Sequence, residues 1–179
     1  MTPNMQNDGG MKVPELKLRN KQRLRKKETR EMSDALFAAA GVRAFGETDN
    51  IDVLEAPQYK VVEIGSERIG ILLNEKPFLT VKGLMKFGAA ERRAVTVDMG
   101  AVPFVTKGAD LMIPGIRQMD MEIKAGDWCY IRDEKNRRPL AVGVALMDAQ
   151  KIMEMKSAGQ KGKAVKVVHY VGDELWNSE

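Results

Sequence analysis

Residues 97–116 read VDMGAVPFVTKGADLMIPGI and carry more structural information than any other part of the sequence. Two Gly-Ala pairs flank a short run, residues 102–106, that favours a helix, and Pro114-Gly115 ends the strand that follows. Glycine lets the backbone approach a partner closely or adopt a positive φ angle. Lys107 stands at the helix–strand junction, where it can meet a phosphate. The pattern predicts a tight helix-to-strand corner whose glycines serve either a ligand or internal packing.

Short strand-like runs alternate with turn residues on both sides of this corner. A hairpin tip is expected at residues 133–136, and a short helix is expected after Asp148, whose side chain should cap it. The predicted strands of this half are residues 94–98, 127–132, 140–146 and 164–170. Many short strands with few helices favour a small β-barrel over a doubly wound sheet.

The first half of the chain combines a helical region with a hairpin-rich region. Asn20 is expected to cap a helix that begins near Lys21, and the pattern leaves open whether one helix or two reach Gly41. Strands are then expected at residues 51–54, 59–64 and 68–73, with a hairpin turn at Gly65-Ser66 and a short helix at 81–87. This half therefore predicts a separate unit of mixed helix and sheet.

A run of small and then charged residues, 88–93, is predicted to be a hinge between two domains. The chain is 44% hydrophobic and 30% charged, which is enough apolar material for a packed core. The fold class is predicted to be α+β. We expect a flexible tail at residues 1–11, an N-terminal α+β domain at 12–92 and a C-terminal β-barrel domain at 93–179.

The net charge of +4 is concentrated in one segment. Nine lysines and arginines lie between residues 12 and 30 against two glutamates, so this segment has the electrostatic character of a phosphate-binding surface. A solvated helix face that only aids solubility is the alternative. The residues assigned to the predicted phosphate patch are Lys21, Arg23, Arg25, Lys26, Lys27 and Arg30.

The sequence lacks the motifs that catalysis and cofactor binding require. It has no Gly-x-Gly-x-x-Gly fingerprint and no complete Walker loop. One histidine, His169, and one cysteine, Cys129, cannot form a Cys/His zinc site within one chain, and both are interpreted as packing residues. We therefore expect a protein without enzymatic activity, catalytic residues, metal or cofactor. The sequence contains no apolar run of the roughly 18 residues that a transmembrane helix needs, and it has no recognisable signal peptide. We therefore expect a cytoplasmic protein without membrane contact.

Several motifs of the second half together resemble a known family. They run in the order Lys107-Gly108-Ala109-Asp110-Leu111-Met112, Pro114-Gly115-Ile116, Gly126-Asp127-Trp128, Leu140-Ala141-Val142-Gly143-Val144-Ala145, and a Lys/Gly-rich turn. Over residues 94–170 their order and spacing resemble the PUA domain, the RNA-binding pseudobarrel named after pseudouridine synthases and archaeosine transglycosylases. The ending, residues 168–176, and the basic first domain resemble the narrower family of the malignant T-cell-amplified-sequence protein and ligatin.

The resemblance implies a set of RNA-binding residues, because PUA domains use the glycine-rich helix, the next strand and a neighbouring strand as a groove. The implied contacts are Lys107, Gly108, Ala109, Met112, Pro114, Gly115 and Ile116, with Val142, Gly143 and Lys163 as secondary contacts. Met112 and Ile116 would support an unstacked base, and the two lysines would supply charge.

The resemblance also implies a role in translation, in initiation or in ribosome recycling. The implied partners are the 3′ end of transfer RNA or ribosomal RNA, the small ribosomal subunit, and a factor of the initiation-factor-one (SUI) type. The alternative is an accessory protein that guides an RNA-modifying enzyme of the pseudouridine or archaeosine pathway to its substrate. Both alternatives predict RNA binding at the same corner.

Overall fold

The computed structural model describes residues 14–178, which contain two β-sheets and four α-helices. The strands are β1 (Arg19–Arg23), β2 (Ile51–Glu55), β3 (Lys60–Ile64), β4 (Glu67–Leu73), β5 (Lys76–Leu79), β6 (Ala94–Val97), β7 (Leu111–Met112), β8 (Ile116–Met119), β9 (Trp128–Asp133), β10 (Pro139–Ala145) and β11 (Lys163–Tyr170). The helices are α1 (Lys26–Ala40), α2 (Val81–Phe87), α3 (Val102–Val105) and α4 (Ala149–Ser157). The predicted tail at residues 1–11 and Lys12 of the basic segment lie outside the described residues. The predicted α+β class is confirmed.

The N-terminal sheet is an antiparallel meander in the order β1-β2-β3-β4-β5. The three strands predicted between residues 51 and 73 are present, and the turn at Gly65-Ser66 joins β3 to β4 as expected. Gly65 has a φ of +64°, which suits a tight hairpin. Thr80 caps α2 by accepting a hydrogen bond from the Gly83 amide at 3.0 Å, which explains why this short helix begins where the sequence predicts it.

The segment before α1 is a strand, so the expectation that Asn20 caps a helix beginning near Lys21 is wrong. Asn20 has a φ of +52° and lies in an irregular stretch of β1, where its side-chain amide donates to Glu55 at 2.7 Å. One helix, α1, then runs to the left-handed Gly41. Ser33 lies inside this helix and donates to the Phe45 carbonyl at 2.5 Å, so it does not start a second helix.

The C-terminal sheet has six strands in the order β7-β11-β10-β9-β6-β8. Strands β6 and β9 are parallel and the other neighbours are antiparallel, and the sheet curls into the predicted pseudobarrel. Helix α4 follows Asp148 as predicted. The Asp148 carboxylate, however, accepts from the Ala125 amide at 2.8 Å and makes no cap hydrogen bond, so the expected side-chain cap is wrong. This carboxylate instead ties α4 to the loop before β9.

One of two hydrophobic cores runs from the N-terminal sheet onto one face of the pseudobarrel. Trp128 of β9 stacks on Phe78 of β5, with ring centroids 5.8 Å apart, and its indole donates to the Lys76 carbonyl at 2.9 Å. The Tyr130 hydroxyl donates to the Ala90 carbonyl at 2.6 Å, which holds the segment predicted as a hinge. The two units therefore pack as one body, and the domain limits at residues 92 and 93 stay a prediction.

A second core fills the pseudobarrel itself. Its fully buried members are Val95, Val97, Ile113, Ile116, Ile123, Cys129, Ile131, Ala141, Ala149, Ile152, Ala164 and Val165. They come from five strands (β6, β8, β9, β10 and β11), from α4 and from the connecting turns, and they fix the barrel side of the corner that the sequence singles out. Within residues 14–178, no helix is both long enough and apolar enough to cross a membrane.

Candidate nucleic-acid interface

The corner after α3 is a hydrogen-bonded turn that presents an exposed aromatic ring beside a lysine. The amides of Lys107 and Ala109 both donate to the Phe104 carbonyl at 3.1 Å, and the Gly108 amide donates to Val105 at 3.0 Å. Val105 is buried and anchors the helix, whereas 66% of the Phe104 surface is exposed. An aromatic ring exposed to this extent is available for contact with a ligand.

Strand β7 continues this surface alongside β11. Met112 is 44% exposed and lies directly opposite Lys163 in the β7–β11 register. Asp110 organises the pair, because one carboxylate oxygen accepts from the Lys163 ammonium at 3.3 Å and the other accepts from the Val167 amide at 3.1 Å. The lysine is 63% exposed, so it remains able to reach a phosphate.

Gly108 is required by packing on its inner side. Its φ is +86°, and a Cβ atom placed on it would lie 2.6 Å from the Tyr170 ring. The sequence allows two roles for this glycine, contact with a ligand and internal packing. The close approach of the Tyr170 ring supports internal packing. A bulky substitution at this position would displace the Tyr170 ring. A loss of RNA binding in such a variant would therefore not show that Gly108 itself contacts RNA.

We expect Gly108→Ala to lower the free energy of unfolding by about 1–3 kcal/mol, because it adds a clash to an unfavourable backbone angle. Gly126→Ala is the matched control, since Gly126 has the same φ of +86° but no atom within 4 Å of its added methyl group. Urea denaturation of both variants separates the backbone contribution from the clash. Equal losses of stability in the two variants would contradict the packing role of Tyr170.

The turn at residues 113–115 forms the next part of the surface. Pro114 is exposed, and its carbonyl accepts from the Lys156 ammonium at 3.1 Å. An added Cβ on Gly115 would lie 3.0 Å from the Cβ of Ala101, so the first Gly-Ala pair packs against this turn. The Gly115 carbonyl accepts from the Asp98 amide at 2.9 Å, which closes the corner.

Three of the predicted RNA contacts lie in the interior. Ile116 and Val142 are fully buried, so the expected support of a base by the Ile116 side chain is wrong. The strand beside β7 is β11, and β10 with Val142 and Gly143 lies one strand further away. A Cβ on Gly143 would lie 2.4 Å from the Lys166 carbonyl oxygen, so this glycine permits the close approach of two strands.

The structure thus brings together five exposed positions that the sequence predicts and one that sequence reasoning missed. We define the corner surface as Phe104, Lys107, Ala109, Met112, Pro114 and Lys163. The missed residue is Phe104, because a helix of four residues is too short for periodicity to show which side faces outward. The assignment of this surface to RNA contact stays a prediction.

The predicted phosphate patch divides into two groups. Lys21 and Arg23 lie on β1 and are bound to buried carboxylates: Arg23 donates to Asp52 at 2.6 and 3.0 Å, and Lys21 lies 3.0 Å from Glu63. The Arg23 guanidinium holds the pKa of the Asp52 carboxyl below its usual range. The side chains of Lys21 and Arg23 therefore stabilise the N-terminal sheet by neutralising its buried carboxylates.

The remaining four cations of the patch are more available. Within the described part of the chain, Lys26 and Lys27 form only long exposed pairs, at 3.7 Å to Glu47 and 3.8 Å to Glu31, and such pairs are weak. The guanidinium groups of Arg25 and Arg30 form no ion pair among residues 14–178, although the Arg25 backbone amide donates to the Glu28 carboxylate at 2.7 Å. Charge substitution at these two arginines therefore tests phosphate contact without breaking the ion pairs of β1.

Cys129 and His169, the only cysteine and the only histidine in the sequence, are packing residues, as the sequence indicates. Cys129 is fully buried, and burial raises the pKa of its thiol to about 12, so it is not a thiolate at neutral pH. His169 is buried and its Nδ1 lies 2.8 Å from the Asp173 carboxylate. Among the residues that the structure describes, no cluster of three His, Cys, Asp or Glu side chains could hold a metal ion.

The curled six-stranded pseudobarrel and its corner match a known domain family. The family model for the PUA domain matches residues 93–171, which cover this sheet and its corner. A conserved PUA domain protein from Thermoplasma acidophilum superposes with a TM-score of 0.71 at 30% identity over 89% of this chain and 99% of that chain. A hypothetical protein from Pyrococcus horikoshii gives a TM-score of 0.75 at 32% identity over 88% of this chain and 98% of that chain.

Sequence relatives agree with this match. An uncharacterized protein of Methanocaldococcus jannaschii is 38% identical over 128 residues, which are 72% of this chain and 76% of the relative. Translation machinery-associated protein 20 of Schizosaccharomyces pombe is 35% identical over 47% of this chain and 46% of its own length. Eukaryotic translation initiation factor 2D of Rattus norvegicus is 42% identical over 40% of this chain and 12% of its own length.

The chain belongs to the family of PUA-domain proteins, and its RNA-binding domain is homologous to those of translation-associated proteins. The predicted resemblance is thereby confirmed. The chain spans about half the length of the Schizosaccharomyces pombe protein and a small part of the initiation factor. The activities of those whole proteins therefore remain proposals for this chain.

Proposed function

We propose that this protein binds the end of an RNA chain through the corner surface and acts in translation, in initiation or in ribosome recycling. The observation that carries the proposal is the 66% exposed ring of Phe104 on the turn that also holds Lys107. An exposed ring next to a cation stacks on an unpaired base while the cation neutralises the neighbouring phosphate. No catalytic chemistry is needed for this role.

The resemblance to translation-associated relatives supports the choice of RNA and partners. Two relatives carry translation in their names, and both align with this chain over 40% or more of its length. The proposed ligand is the 3′ end of transfer RNA or an end of ribosomal RNA on the small ribosomal subunit. A second factor of the SUI type is the proposed protein partner, and the site of action is the cytoplasm, where translation runs.

The proposal is tested by comparing labelled RNAs of one sequence in different forms. We expect fluorescence anisotropy to show the tightest binding for a duplex with a single-stranded 3′ overhang, and weaker binding for the blunt duplex. Co-sedimentation of the protein with small ribosomal subunits is expected in cell extract. Equal affinity for blunt duplex DNA, or recovery with an RNA-modifying enzyme instead of ribosomal subunits, would contradict the proposal.

The contribution of the phosphate patch is tested by the salt dependence of binding. The double variant Arg25→Gln/Arg30→Gln is expected to flatten the slope of log affinity against log salt by about 0.7 for each lost contact with single-stranded RNA. The double variant Lys76→Gln/Lys124→Gln removes the same charge from outside the patch and is expected to keep the slope. An unchanged slope for the arginine variant would mean that the patch is only solvated.

A further inference from the structure

A cavity of about 670 Å³ lies where the N-terminal unit meets the end of β11. Its wall on the N-terminal side includes Leu16 and Tyr59, and its wall on the pseudobarrel side includes Tyr170 and Glu174. The remaining residues around it are Pro14, Pro57, Gln58, Val168, Gly172 and Asp173. Neither the corner surface nor the phosphate patch contributes a residue to this cavity.

The charge of this cavity is opposite to that of the protein as a whole. Asp173 and Glu174 line it, and none of its described lining residues is a lysine, arginine or histidine. Asp173 is occupied: its carboxylate accepts from the Tyr170 amide at 3.0 Å, accepts from the Trp176 amide at 2.8 Å, and meets His169. Glu174 makes no hydrogen bond or ion pair among residues 14–178, so its charge is available to a ligand.

Two tyrosines provide the aromatic part of the cavity. The Tyr59 hydroxyl has no hydrogen-bond partner among the described residues, although it is half-buried. Burial raises the pKa of this hydroxyl, and the carboxylates of Asp173 and Glu174 raise it further, so it stays a neutral donor. Tyr170 lies across the cavity, and its ring also packs beneath Gly108, so the cavity and the corner surface share one side chain.

We propose that this cavity binds an arginine or lysine side chain presented by a protein partner. A cation gains from the unpaired Glu174 carboxylate and from the faces of the tyrosine rings, while its aliphatic stem packs on the prolines and Leu16. RNA is disfavoured because two carboxylates repel a phosphate backbone. A partner seated in the cavity would contact Tyr170, the residue whose ring also packs against Gly108 of the corner.

The test uses the full-length protein labelled with ¹⁵N and the acetylated, amidated tripeptide Gly-Arg-Gly. Titration is expected to shift the amide resonances of Tyr59, Gly172 and Glu174, and the neutral analogue Gly-citrulline-Gly is expected to shift none of them. Glu174→Gln is expected to weaken binding by about fivefold. Tyr59→Leu is expected to weaken it by about two- to thirtyfold.

Glu154→Gln is the matched control, because Glu154 is an exposed glutamate on α4 outside the cavity, and its variant should bind the tripeptide like the parent protein. If Tyr59→Leu does not fold, Tyr59→Phe can be measured instead. This variant removes the hydroxyl but keeps the aromatic ring, so it should retain the part of the affinity that comes from the ring. Unchanged affinity in Glu174→Gln would overturn the proposal. Tighter binding of spermidine than of the peptide, or shifts at these residues with single-stranded RNA, would overturn it as well.

Discussion

Phe104→Ala is expected to weaken binding of single-stranded RNA by roughly five- to 150-fold, the largest effect on affinity of any single truncation at the corner surface. Stacking of one base on an aromatic side chain contributes about 1–3 kcal/mol by alanine substitution. Because most of the ring is exposed, its removal leaves no cavity and should change the free energy of unfolding by no more than about 0.5 kcal/mol. Fluorescence anisotropy at a fixed salt concentration measures the affinity, and urea denaturation measures the stability.

Phe37→Ala is the matched control for this variant. Phe37 is the other strongly exposed phenylalanine among the described residues, with 43% of its surface exposed on α1, and the Arg43 guanidinium lies 4.9 Å above its ring. The control removes an exposed ring of the same kind from the N-terminal unit, so RNA affinity should remain that of the parent protein. Equal weakening by the two variants would show that the loss is not specific to the corner, and wild-type affinity in Phe104→Ala would remove the ring from the site.

Trp128→Ala is expected to lower the free energy of unfolding by about 3–5 kcal/mol, because it empties a large space at the junction of the two units. The indole is 4% exposed, it stacks on Phe78, and it donates a hydrogen bond to Lys76. The Lys76 carbonyl would also lose its partner in this partly buried hydrogen bond, which adds to the effect of the cavity. Far-UV circular dichroism in urea measures the change without depending on tryptophan fluorescence.

The same experiment tests whether the two units unfold together. The shared core predicts a single transition for the parent protein, and the loss in Trp128→Ala should move the whole transition to lower urea. Trp176→Ala is the control, since Trp176 is a half-buried tryptophan at the edge of the same core and should cause a smaller loss. Two separate transitions in the parent protein would show that the units are independent domains.

Local patterns predicted most elements of the fold. The short helix α2 and the hairpin between β3 and β4 appear where the sequence predicts them, and the four pseudobarrel strands predicted with bounds agree to within one residue at each end. These features depend on interactions within a few residues of one another, so the sequence holds the needed information. The positive φ of Gly108 belongs to the same class, because it arises from the local turn.

The errors lie where distant segments meet. The residues of β1 contain no strand pattern and include an asparagine that suits a helix cap, but pairing with β2 and the ion pairs to Asp52 and Glu63 make them a strand. Ile116 was expected to face RNA, but the pairing of β8 with β6 turns its side chain into the barrel core. Phe104 faces solvent because Val105, its neighbour in α3, occupies the core.

The amino-acid order by itself determined the family, the α+β class and the position of the glycine corner along the chain. Only the tertiary structure decided that β11 lies beside β7, that Tyr170 packs under Gly108, and that Trp128 joins the two units into one core. The reason is physical. Turn and capping preferences act over a few residues, whereas burial and ion pairing depend on which remote segments come into contact when the chain folds.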